Sequence, residues 1–326
     1  MKLSPNKKTE IGKWLSVIIP LILGLFLVLY SYYSFSPKQL IIIKKHFENA
    51  NYYYILITLF IAILGGASRA YRWKYSLEHM GYKTSFANNF MAVSIGYLMN
   101  MTLPRSGEIS RALIIKKYNN VPFDKAFGSI VAERIVDLIC LLFFIILAFF
   151  LQFEIVKAFI LDKIPFGKLL IIALFGLVSF VVFILIFIYS KWKIINTIKL
   201  KISGLKEGLL SIVYMKKKWC YLLHTVFIWF SFITTFYIGI FVIPETSSIS
   251  FGAVITAFVV GSIAIAFTNS GFGSYPFLIT KILLFYDISE TAGSAFGWII
   301  WTSQMLLVLL LGGLSFLLLP LFNRKK

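Results

Sequence analysis

The chain has 326 residues, 59% of them hydrophobic and only 14% charged, with a mean hydropathy of +0.86. Soluble domains carry roughly 25% charged residues, so a soluble globular protein is excluded. A net charge of +19 does not point to nucleic acid here, because Lys and Arg sit in short connections between apolar windows, where they set orientation and meet anionic headgroups.

Taken in chain order, Lys2, Lys7, Lys8 and Lys13 precede an apolar window, Trp14–Tyr33. No small-x-small cleavage pattern follows it, so it reads as an uncleaved first span. Ser36–Asn49 places Leu40–Ile43 against Lys38, Lys44 and Lys45, the pattern of an external amphipathic surface helix or of a packing helix. Tyr52–Ser68 is the second span. Phe86–Ile115 is apolar but broken by Pro104-Arg105-Ser106-Gly107-Glu108, and Ile139–Phe153 completes a third span. Leu169–Ser190, Trp219–Ile243 and Ser294–Phe322 are further spans of about the length a bilayer requires. Between the last two, Phe251–Tyr286 is broken by Asn269-Ser270-Gly271-Phe272-Gly273-Ser274-Tyr275-Pro276.

Backbone freed by Pro and Gly survives at membrane depth only inside protein or beside water. The two broken stretches therefore read either as re-entrant hairpins or as full spans with surface pieces. Charge decides between them. With both re-entrant and the N-terminus cytoplasmic, 24 Lys and Arg face the cytoplasm and 6 (Lys38, Lys44, Lys45, Lys157, Lys163 and Lys168) face outside. Making the first stretch a full span, alone or together with the second, places the basic Lys191–Lys218 connection outside. The expected fold is an all-α integral membrane domain over residues 1–326, with about six transmembrane helices and two re-entrant hairpins. Its halves, 14–153 and 169–322, form an inverted repeat; eight plain transmembrane helices are the alternative. Both termini are expected in the cytoplasm of a multi-pass plasma-membrane protein.

Five of the six arginines (Arg69, Arg72, Arg105, Arg111 and Arg134) fall between positions 69 and 134 in a chain that otherwise uses lysine. A guanidinium grips phosphate or carboxylate bidentately, which an ammonium does not. Arg69 and Arg72 end a span and are placed to snorkel to the interface. Glu133, Arg134 and Asp137 share one helix face. Asp137 falls about 16 Å along a helix that enters near Ala126, roughly mid-depth in the bilayer. Charge there is costly unless paired or hydrated, so pairing with Arg134 and a role in a polar pathway are both open. The expected phosphate grip is Arg105 with Arg134, with Arg72 and the basic loops recruiting lipid.

Asn100-x-x-Leu103-Pro104-Arg105-x-Gly107-Glu108-x-x-Arg111, then Glu133-Arg134-x-x-Asp137, then the Gly271-x-Gly273 break resemble the lysylphosphatidylglycerol synthase transmembrane-region family, also called flippase-like domain proteins. The resemblance covers nearly the whole chain. It implies a membrane domain that moves a lipid between leaflets, with Arg105, Gly107, Glu108, Arg111, Glu133, Arg134 and Asp137 as motif positions. The second glycine loop departs from the family pattern of a preceding Pro and a following acid, since Asn269-Ser270 precede and Ser274-Tyr275-Pro276 follow. Proton coupling by an acid in that loop is thus not implied. Lysyl transfer is not expected either, because the soluble aminoacyltransferase domain is absent.

An enzyme, such as a membrane glycosyl or acyl transferase, is the rival reading. The sequence holds no Asp-x-Asp pair, Gly-x-Ser-x-Gly elbow or Gly-x-Gly-x-x-Gly loop to support it. A non-catalytic accessory of a lipid or glycan biosynthetic complex is a third. Cys140 and Cys220 form no spaced motif, and His46, His79 and His224 are scattered at window edges, so neither a cofactor nor a metal is expected. The expected partners are anionic membrane lipids. Self-association stays open, Gly293-x-x-x-Gly297 being a helix-packing pattern.

Overall fold

A computed structural model describes residues 5–103, 106–154 and 212–324, with side chains from residue 18 onward. Pro104, Arg105, the expected span Leu169–Ser190 and most of the Lys191–Lys218 connection lie outside the described residues. Among the described residues the regular elements are helices: α1 Pro5–Ser34, α2 Pro37–Glu48, α3 Tyr52–His79, α4 Phe86–Thr102, α5 Ser106–Asn119, α6 Phe123–Leu151, α7 Lys218–Gly239, α8 Phe251–Phe267, α9 Ser274–Leu284 and α10 Glu290–Phe322. The protein is an all-α integral membrane protein. α3, α6, α7 and α10 are each long and apolar enough to cross a bilayer, and α1 joins α2 through a 111° bend.

Local chemistry sets the helix starts. Asn51, Ser85, Ser250 and Ser289 each accept a hydrogen bond from a first-turn backbone N–H, and Ser36 with Gln39 forms a reciprocal capping box on α2. α2 buries no residue completely, and only Ile43 and Phe47 pack against the core, so it is an amphipathic helix lying on the molecule.

Both broken stretches fold back on themselves. α4 stops at Leu103, which precedes a proline and is extended (φ −130°, ψ 126°). α5 then returns antiparallel: the Gly107 N–H donates to Asn100 Oδ1 (2.8 Å), Arg111 packs on Gly96, and Asn88 Nδ2 donates to Asn119 Oδ1 (2.9 Å) at the open end. α8 and α9 form the second hairpin, with Tyr275 and Ile279 against Gly261 and a Thr268–Ser274 hydroxyl bond of 2.8 Å across the tip. Its turn uses positive φ at Ser270, Gly271 and Gly273.

The two hairpins rest on opposite ends of α10. A Cβ at Gly297 would stand 2.9 Å from Pro276 Cα, so only glycine lets α9 seat there. Beyond it, Trp301 Nε1 donates to the Ser270 carbonyl at 2.8 Å. Eleven residues on, about 16 Å along the axis, a Cβ at Gly312 would meet Leu98 Cβ at 2.6 Å, and Leu319 packs with Met91 and Ile95 of α4. Asn323, at the C-terminal end of α10, hydrogen-bonds Asn88 at the mouth of the first hairpin. The hairpin tips therefore point toward each other along α10, from opposite ends of the molecule. The end carrying the first hairpin's mouth also carries Lys116, Lys117, Lys125 and Lys216–Lys218, whereas the other carries Lys38, Lys44, Lys45 and Lys281.

Candidate functional site

α3, α5, α6 and α7 converge on a buried ionic network. Arg69 and Arg72, three residues apart near the end of α3, share one helix face, so both turn toward α6. Arg69 Nη1 donates to Glu133 Oε1 (2.8 Å) and Asp137 Oδ2 (3.1 Å). Arg72 Nη1 donates to Asp137 Oδ1 (2.9 Å) and Thr225 Oγ1 (3.3 Å), and its Nη2 lies 3.1 Å from Glu133 Oε1. Arg111, brought in by α5, forks onto Glu133 at 3.0 and 3.4 Å and lies over the Trp73 ring at 4.3 Å. The indole N–H of Trp73 is itself taken by Ser129 Oγ (2.9 Å). Glu133 is the hub, 1% exposed and held by three guanidiniums.

The open edge of the network is Arg134, whose side chain is 40% exposed. It sits 3.1 Å from Glu108 Oε1 and 3.7 Å from Asp137 Oδ2. Tyr221 stacks its ring near Arg72, and Tyr97 and Phe232 flank Arg69. These rings lower the local dielectric and strengthen the ion pairs. Four guanidiniums face three carboxylates among the described residues. Several N–H donors stay buried without a hydrogen bond, among them Nε of Arg69, Arg72 and Arg111, as does Glu108 Oε2.

The first motif group thus assembles: Glu108, Arg111, Glu133, Arg134 and Asp137 meet in one place, and Gly107 with Asn100 closes the hairpin tip that delivers Arg111. Arg105 lies outside the described residues. Two expectations change. Arg69 and Arg72 do not snorkel, and Arg72, expected to recruit lipid at the surface, is fully buried at 0% exposure. α6 alone supplies it with two carboxylates, Glu133 and Asp137, which an interface would not. Asp137 accepts hydrogen bonds from Arg69 and Arg72, while Arg134 stands further off. Arg69, Trp73, Tyr221 and Thr225 were missed; the Arg69-x-x-Arg72 spacing after a span was the available signal. His224 Nδ1 lies 2.8 Å from Ser68 Oγ, and its ring stacks on Tyr71. The second group, Asn269, Ser270, Gly271, Gly273 and Tyr275, gathers at the other hairpin's tip beside Trp301, apart from the ionic network.

The model for the lysylphosphatidylglycerol synthase transmembrane region matches residues 17–320. The chain belongs to that family. Among its relatives, a UPF0104 membrane protein of Methanocaldococcus jannaschii is 28% identical over 159 residues, 48% of this chain and 45% of that one. A UPF0104 membrane protein of Pyrococcus horikoshii is 28% identical over 141 residues, 42% and 40% of the two chains. A shorter segment of 80 residues is 29% identical to the glycosyltransferase AglD of Haloferax volcanii, covering 24% of this chain and 13% of that protein. The matched segments span less than half the length of these relatives. No solved structure matches the chain. Family membership and a multi-pass helical membrane fold are thus in hand, and the matched range includes the network that joins the first hairpin to α3 and α6.

Proposed function

We propose that the protein moves an anionic phospholipid or lipid-linked precursor between leaflets, with the ionic network as its headgroup site. The observation that carries this is the excess of guanidinium over carboxylate, with buried N–H donors still unfilled and Arg134 opening the cluster to its surroundings. Among the described residues the cluster carries one more guanidinium than carboxylate, and a phosphate supplies both charge and acceptor oxygens. Glu108 on Arg134 occupies the place that a phosphate would take, so headgroup binding exchanges one acid for another instead of stranding charge in the membrane.

Both helical hairpins are read as re-entrant, the first entering from the cytoplasm and the second from outside. Their antiparallel folding and opposite seats on α10 support this, and the basic end of the molecule faces inward by the positive-inside rule. Halves 14–153 and 169–322 then form an inverted repeat with the site near its interface, in the plasma membrane, with cytoplasmic termini. The likeness of a segment to a glycosyltransferase of Haloferax volcanii supports a second reading, a lipid-linked saccharide as cargo or a place beside a membrane transferase.

Leaflet exchange of a labelled anionic phospholipid in proteoliposomes tests the site, using Arg134→Lys and Arg134→Ala at two salt concentrations. A bidentate phosphate grip predicts that both variants lose most of the exchange at either salt. Rescue by lysine, with the residual defect shrinking at low salt, would reduce Arg134 to a screened surface charge.

A further inference from the structure

The tip of the second hairpin holds a polar group that neither the ionic network nor the fold uses. Asn269 is 3% exposed, and its side-chain Oδ1 and Nδ2 both lack a hydrogen-bond partner. A buried amide left unpaired costs stability that an apolar side chain of the same shape avoids, so its presence calls for a reason. A second unfilled donor lies on the face of α10 that carries the tip's anchor. Gln304 stands one helical turn beyond Trp301, whose indole holds the Ser270 carbonyl of the tip, and Gln304 Nε2 is buried without a partner. Thr268 and Ser274, also at the tip, bond each other through their hydroxyls. The nearest cation on this hairpin, Lys281, sits two turns further along α9 and is paired with Glu290. α1 closes the far side, its Gly24 carbonyl abutting Gly273. Two residues before Asn269, Phe267 is 81% exposed, so the tip lies directly beside an apolar surface open to lipid.

We infer that Asn269 and Gln304 form an uncharged hydrogen-bonding station that receives the hydroxyl groups of a lipid headgroup. An amide that offers both donors and acceptors matches a group that does the same, and a hydroxyl is such a group, whereas phosphate accepts only and an ammonium donates only. With no free cation at the tip among the described residues, the phosphate is left to the arginine network. The two hairpins thus divide the headgroup's chemistry, charge at the first and hydroxyls at the second. This rests on the lipid-moving reading for its biological role, but binding tests it without transport.

The purified protein is melted in detergent with phosphatidylglycerol or with phosphatidylmethanol, which carries the same charge and no headgroup hydroxyl. Wild type should bind phosphatidylmethanol about fivefold more weakly, the worth of one net hydrogen bond. In Asn269→Leu the difference should vanish, while stabilisation by phosphatidylmethanol persists and the lipid-free melting temperature holds or rises. Equal stabilisation of wild type by the two lipids would overturn the station. So would a glycerol-headgroup preference that survives Asn269→Leu, or the same stabilisation from free glycerol alone. A fall in the lipid-free melting temperature of Asn269→Leu would show the amide to be structural. Loss of stabilisation by both lipids in Arg134→Ala, with the hydroxyl preference unchanged in wild type, bears on the arginine site and leaves this one standing.

Discussion

Glu133 carries the largest electrostatic responsibility of any single residue described. Arg69, Arg72 and Arg111 all lean on its carboxylate, and it has almost no contact with solvent. Removing its charge leaves buried cations short of a partner, a loss of about 3–5 kcal/mol. Glu133→Gln should therefore unfold in detergent at markedly lower denaturant than wild type. Asp137→Asn should cost less, because Asp137 is nearer the surface and Arg69 and Arg72 both keep Glu133, so it should reduce transport more than stability. Denaturant titrations of both variants check this, and equal, small losses would mean the network is not holding the helices. Much of this was legible in the sequence: Glu108, Arg111, Glu133, Arg134 and Asp137 fall in one motif set. What periodicity could not give was the partner choice. Spacing along α6 pairs Arg134 with Asp137, whereas packing against α3 brings Arg69 and Arg72 closer, and a contact across 65 or more residues leaves no trace in local spacing.

At the scale of elements, α10 is the rail on which both hairpins sit. Its glycines at 297 and 312 admit α9 and α4 at backbone distance. Gly312→Leu should push the first hairpin away and destabilise the protein by about 1–3 kcal/mol, the usual cost of overpacking. Gly313→Leu, one residue on and facing open space, should be near neutral. Similar melting temperatures for the two variants would remove α10 as the seat. Topology follows from the same packing. Single cysteines at Lys83 and Asn119 should be labelled from the cytoplasm only, and those at Ser247 and Ser289 from outside only. Opposite-side labelling within either pair would make that stretch a full span. The breaks themselves were readable, since a Leu-Pro junction and a Gly-x-Gly turn cannot continue a helix. Gly293-x-x-x-Gly297 carried little meaning alone, because a small-residue stripe does not say which helix it receives; here it receives α9 of the same chain.

For the whole molecule, composition and charge placement were enough to fix an integral membrane protein, and the family motifs agree with a match over residues 17–320. The nature of the cargo was not legible, because apolar spans carry no information about a headgroup, and only the few buried polar side chains do. On the proposed reading, that information lies in the arginine network, where guanidiniums outnumber carboxylates among the described residues. Initial rates of leaflet exchange for a fluorescent anionic phospholipid and a zwitterionic one of identical chains, in liposomes with and without the purified protein, test this most directly. Protein-dependent exchange that favours the anionic lipid and is abolished by Arg134→Ala is expected. Exchange that ignores headgroup charge, or none above that of protein-free liposomes, would contradict it.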